Sequence, residues 1–303
     1  MDLCLAKPSR LQSSALQVFS FGPMLHALIW CLRLVTVTQC VGLAGCYVLA
    51  TAERESEIYG WLFFDLGWSE SWSQGLDDFA SYACLIGAIV LLISGLLGSL
   101  ALGVPCKRRQ RWQCWLELPV LIFVSLWCVL LALTETLRGG LFTEWALAEQ
   151  AVRYATPVAL GWLLISQARG VSQQAIKRVT RWLLLAAFST FLVHGFKAVL
   201  AYGPFVDLLL LSEQRWLEQD MEQAPAETLL VFIGWLDIGL AIGLLLTRWR
   251  IIACYMAFWG FLTAASRVTA FGVEAWPEVL VRAANGGALM ALVFCFSLLR
   301  KVD

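Results

Sequence analysis

Apolar residues in this chain fall into long runs of about twenty, separated by polar turns of two alternating kinds. At roughly 1.5 Å per helical residue, such a run spans the roughly 30 Å hydrocarbon core of a bilayer. The pattern predicts eight membrane-spanning helices, at about residues 25–50, 82–104, 114–137, 152–168, 182–202, 228–247, 251–272 and 279–299. Residues 9–21 make a poor helical stripe and lack the compact apolar core of a cleavable signal, so the first span is expected to stay in the protein. The connection over 51–80 interleaves seven acids with aromatics that include Tyr59, Trp61, Phe63, Phe64, Trp68 and Trp72, which suggests a segment lying along the membrane surface.

Charge sorts by side. Fourteen Lys or Arg lie in the turns after even-numbered spans and in the two termini, and eighteen of the twenty-two acids lie in the opposite loops. The positive-inside rule then places both termini and all the basic turns in the cytoplasm. With 60% hydrophobic and 15% charged residues, and a mean hydropathy of +0.73, the composition is that of a polytopic protein whose first partner is the lipid bilayer. The formal net charge of zero gives no footing for a nucleic-acid partner. Ten cysteines sit mostly inside apolar runs with no CxxC, and neither His lies three or four residues from a Cys, so no metal site is expected.

Asp237 stands near the middle of the sixth run, where an ionisable group costs roughly 2.5–3.5 kcal/mol on insertion scales and needs a partner or a purpose. Lys197 and His194 share one face of the fifth run near its outer end. Arg267 lies at a similar depth in the seventh. Arg282 lies just inside the eighth, with Asn285 on the same face, and Asn285-Gly286-Gly287 lets a neighbouring helix approach closely. One reading makes these cations neutralise Asp237 and loop acids such as Asp207 or Glu274, fixing helix register. The other makes them a site in which Lys197, Arg267, Arg282 and Asn285 hold an anion, a lipid phosphate or a quinone carbonyl while Asp237 or His194 moves protons. Arg33 and Glu117 are expected to snorkel or to pair.

The order span, long acidic aromatic loop, span, basic turn, span, short acidic loop, span occurs twice, with a period near 150 residues. Leu85-Ile86-Gly87 matches Phe232-Ile233-Gly234, and Ala151-Val152-Arg153-Tyr154-Ala155 matches Leu280-Val281-Arg282-Ala283-Ala284. An even number of spans per half makes the repeat parallel, about an axis along the membrane normal. The expected fold is therefore all-α, a tandem parallel repeat of four helices, with units 1–168 and 169–303. Val90 stands opposite Asp237 in this alignment, so the first unit looks stripped of buried charge and any site is expected in the second.

On Gly195-Phe196-Lys197, Gly234-Trp235-Leu236-Asp237, and Val281-Arg282 with Asn285, the second unit resembles the DoxX-like family of four-helix membrane proteins. The first unit keeps Arg153 but lacks the lysine and the mid-membrane acid. The resemblance implies an inner-membrane component of a quinone- or sulfur-linked redox process, with a quinone as the implied cofactor and a separate redox partner protein. A carrier for a small anion or lipid, and a non-catalytic scaffold subunit, are the alternatives.

Overall fold

The computed structural model describes residues 22–49, 55–100, 106–217 and 221–300, and among these every regular element is a helix. The expectations for residues 9–21 and for the extreme termini lie outside the described residues. Eleven α-helices follow in order: α1 Gly22–Ala44, α2 Glu57–Gly60, α3 Glu70–Leu100, α4 Cys106–Arg138, α5 Ala146–Glu149, α6 Ala151–Arg169, α7 Gln173–Val199, α8 Gly203–Leu217, α9 Gln223–Thr247, α10 Arg250–Phe271 and α11 Trp276–Arg300. Seven of the long helices are apolar enough to cross a membrane, so the chain is a multi-pass membrane protein. The predicted fourth span falls on α6, which is outside that set. It has 19 residues, begins next to Arg153 and ends in Gln167-Ala168-Arg169.

Three helices, α3, α4 and α7, begin well before the apolar runs predicted for them. α3 starts at Glu70, twelve residues before the predicted span, because Ser73, Asp77, Ala80, Cys84, Gly87 and Leu91 form a buried stripe at spacings of three and four that continues past the apolar run. Asp77 on this extension accepts hydrogen bonds from the Ser56 backbone N–H (3.0 Å) and hydroxyl (2.6 Å). The same hydroxyl accepts from the Tyr59 N–H and caps α2. The acidic aromatic connection is thus tied to α3 at Asp77. The acidic segment after α7 likewise folds as α8, which packs on α10 and α9.

Packing follows a definite pattern. α1 packs on α3, α3 on α4, α4 on α6, and α1 on α6; α7 packs on α9, α9 on α10, α10 on α11, and α7 on α11. Across the middle, α1 packs on α11, α6 on α7, and α6 on α11. Glycines set the closest of these approaches. Gly195 and Gly234 face each other across α7 and α9, so that a Cβ on Gly234 would lie 2.6 Å from the Gly195 carbonyl oxygen. On α11, Gly286 meets the Ala257 carbonyl of α10, and Gly287 meets Val35 of α1. The adjacent glycines therefore serve two different neighbours, α10 and α1.

The first half is not stripped of buried charge. Arg33 of α1, 3% exposed, forms a two-pronged ion pair with Glu117 of α4, 0% exposed; its Nη2 lies 2.9 Å from each carboxylate oxygen and its Nε 3.3 Å from Oε2. Ser94 of α3 donates to the same carboxylate at 2.6 Å. The guanidinium passes over Gly95, where a Cβ would lie 2.8 Å from Arg33 Cδ. Arg33 is thus paired inside the bundle, not snorkelling, because small residues on α3 leave room for its side chain.

Candidate functional site

The ends of the bundle that carry the acidic connections bring charged residues from both halves together. Lys197 of α7 is 3% exposed and its Nζ is bonded to Glu149 Oε2 at the end of α5. His194, one turn earlier on the same face, places Nε2 3.3 Å from Glu149 Oε1. One carboxylate therefore holds both α7 groups. Burial by itself pushes the Glu149 carboxyl up, but His194 and Lys197 outweigh it and hold the group well below the usual carboxylate range. An aromatic cluster covers the lysine: Lys197 Nζ lies 4.9 Å from the Tyr202 ring centre, and Tyr202 packs edge-on to Phe142 and Phe205.

Beside this triad, α6 and α11 present their first turns to each other. Arg153 Nη1 donates to Gln150 Oε1 at 3.0 Å, and Gln150 in turn donates to Glu135 Oε2 of α4 at 2.6 Å. Arg282 Nη1 pairs with Glu278 Oε2 at 3.0 Å, four residues back on α11. Arg153 and Arg282 lie within electrostatic reach of each other, and Arg267 of α10 lies within reach of both. The Nε groups of Arg153 and Arg267 are buried with no hydrogen-bond partner among the described residues. Four cations, Arg153, Lys197, Arg267 and Arg282, thus meet three carboxylates, Glu135, Glu149 and Glu278.

This arrangement answers the sequence expectations residue by residue. Lys197 and Arg282 are partnered, but by Glu149 and Glu278 rather than by Asp237, Asp207 or Glu274. Arg267 joins the cluster. Asn285 is buried on α11 where Gly260 of α10 approaches its backbone, a position in the helix crossing. His194 belongs with Glu149. Asp237 is separate from these ion pairs: it is 6% exposed, its Oδ1 has no hydrogen-bond partner among the described residues, and Trp259 of α10 lies near it.

The cluster is also not confined to the second half, because α6 and α11 adjoin and bring the starts of both helices to one place. Glu149, Gln150 and Arg153 come from the first half, and the first two were missed. A local signal for them exists: Glu149-x-x-x-Arg153 and Glu278-x-x-x-Arg282 are the same i,i+4 pattern at the same place in each half.

At the opposite end, a cavity of about 160 Å³ is lined by His26, Arg33, Gly98, Gln110, Gln113 and Gln167, among others. Among the described residues no group of three or more His, Cys, Asp or Glu could hold a metal ion, and Cys31, Cys40, Cys84, Cys114, Cys128, Cys254 and Cys295 are free thiols. No protein-family model, no curated protein and no solved structure matches the chain.

Proposed function

We propose that the chain is an integral inner-membrane protein of two fused four-helix units, 1–168 and 169–303, that binds a small oxyanion at the seam between them. The oxyanion is either free or the phosphate of a lipid. The two-unit reading draws on the packing: α1, α3, α4 and α6 adjoin one another in the same pattern as α7, α9, α10 and α11, and the cross-contacts α1 on α11 and α7 on α6 exchange under a two-fold axis. In this arrangement α6 is the eighth span. At roughly 1.5 Å per residue its 19 residues reach about 28 Å, close to the bilayer core. Both termini are then cytoplasmic and the charged seam faces outward.

The observation that carries the anion site is the convergence of Arg153, Arg267 and Arg282 with two buried Nε–H groups that lack acceptors among the described residues. Such donors are costly unless an acceptor completes them, and an oxyanion supplies acceptors in the planar geometry guanidinium groups match. Lys197, already held by Glu149, positions the seam rather than binding the anion.

Thermal unfolding of the purified protein in phosphate or sulfate, against sodium chloride at equal ionic strength, tests this. An anion present at 100 times its Kd is expected to add about 2.7 kcal/mol of stability, and Arg267→Gln is expected to remove that increment. Retention of an anionic lipid in the gas phase, lost in Arg267→Gln, would assign the oxyanion to a headgroup instead. No increment in either arm contradicts the site. The redox reading implied by the family resemblance adds one arm, supported by the isolated carboxyl of Asp237. Saturable binding of a quinone analogue, lost in Asp237→Asn, would carry it, and absence of binding would remove it.

A further inference from the structure

Glu117 and Asp237 are both buried acids within membrane-spanning helices, and their surroundings differ completely. Glu117 receives both prongs of Arg33 and the Ser94 hydroxyl, which is what an ionised carboxylate requires in a low-dielectric interior. Asp237 lies on the buried stripe of α9, Leu230, Gly234, Asp237, Ala241 and Leu244, one turn from the Gly234–Gly195 crossing where α9 presses on α7. Space there is set by helix backbones in near contact.

The charged groups on the neighbouring helices are used elsewhere or lie at a different depth. On α7, His194 and Lys197 are both bound by Glu149. On α10, Arg267 lies two helical turns beyond Trp259, with the seam arginines. Asp207, Glu213 and Arg215 belong to α8, which follows the end of α7 on the acidic side. Trp259 Nε1 lies near the carboxyl but is itself buried without an acceptor among the described residues.

We infer that Asp237 is a proton-binding site: in the resting protein it holds a proton and sits in the α9 stripe as the neutral acid. A carboxylate with one oxygen bare and no cation beside it is among the most costly groups a membrane interior can hold, whereas the protonated acid removes the charge. The proton is the only ligand the position needs.

Infrared spectroscopy of the full chain in lipid nanodiscs at neutral pH reads this directly, because a protonated carboxyl has a carbonyl stretch distinct from that of a carboxylate and sensitive to deuterium exchange. The expected result is a carboxylic-acid band that Asp237→Asn removes and Glu117→Gln leaves intact. Because Asn reproduces the neutral acid in shape, Asp237→Asn is also expected to keep the unfolding midpoint unchanged. Absence of the band in the unsubstituted protein overturns the inference. So does a band that survives Asp237→Asn, or one that disappears instead with Glu117→Gln.

Discussion

Glu117→Ala is expected to destabilise the protein by about 3–5 kcal/mol, as removal of one partner from a buried ion pair typically does. Arg33 would then lie 3% exposed in the bundle with no carboxylate within reach, and the Ser94 hydroxyl would lose its acceptor. The cost belongs to the stranded guanidinium more than to the lost attraction. Replacing both partners together, Arg33→Met with Glu117→Met, is therefore expected to return stability to the unsubstituted level or above it. Equilibrium unfolding in mixed micelles, run as a double-mutant cycle, separates the two contributions. A Glu117→Ala protein within about 1 kcal/mol of the unsubstituted chain would show that the pair does not form.

Glu149→Ala should have an effect of similar size, about 3–5 kcal/mol, for a related reason. Lys197 is buried and has Glu149 as its ion-pair partner, and His194 loses its acceptor in the same step. The pH dependence has a definite sign. The folded Glu149 carboxyl is held below its unfolded range, so its contribution is fully present above the unfolded value of about 4.3 and falls away as the medium is acidified below it. The unsubstituted protein should lose stability over that acid range more steeply than Glu149→Gln, and parallel acid limbs for the two would contradict the triad.

The unequal legibility of these features in the sequence has physical causes. Hydropathy measures a run against the bilayer, so the apolar helices and the alternation of basic and acidic turns were readable from residue type alone. The apolar run over 152–168 marks α6 as a helix, although its polarity keeps it outside the plainly apolar set. The start of α3 was not readable: Glu70–Ser81 is held helical by a small-residue stripe and by Ser56 bonding Asp77, neither of which raises the local hydropathy.

Partner choice was the least accessible feature. Arg33 and Glu117 are 84 residues apart, and Lys197 and Glu149 are 48 apart. Such pairs depend on which helices adjoin, and a periodic pattern says which face of a helix is buried without naming what covers it. The same reasoning explains why Asp237 looked like the partner of the cations: all lie in the second half of the chain, but α5 and α6 deliver Glu149 and Arg153 to the seam from the first. Only the i,i+4 pairs Glu149/Arg153 and Glu278/Arg282 were there to be read locally.

The seam exists only if α6 crosses the membrane parallel to α11, bringing Arg153 and Arg282 to the same end. Labelling with a membrane-impermeant maleimide measures this, using single cysteines at Gly140 and Ser172 in a background with the ten native cysteines replaced. These positions flank α6 on its two sides, before α5 and just ahead of α7. The account predicts labelling of Gly140→Cys from outside sealed cells and of Ser172→Cys only after the membrane is opened. Labelling of both from the same side would leave α6 on one surface and contradict the two-unit arrangement.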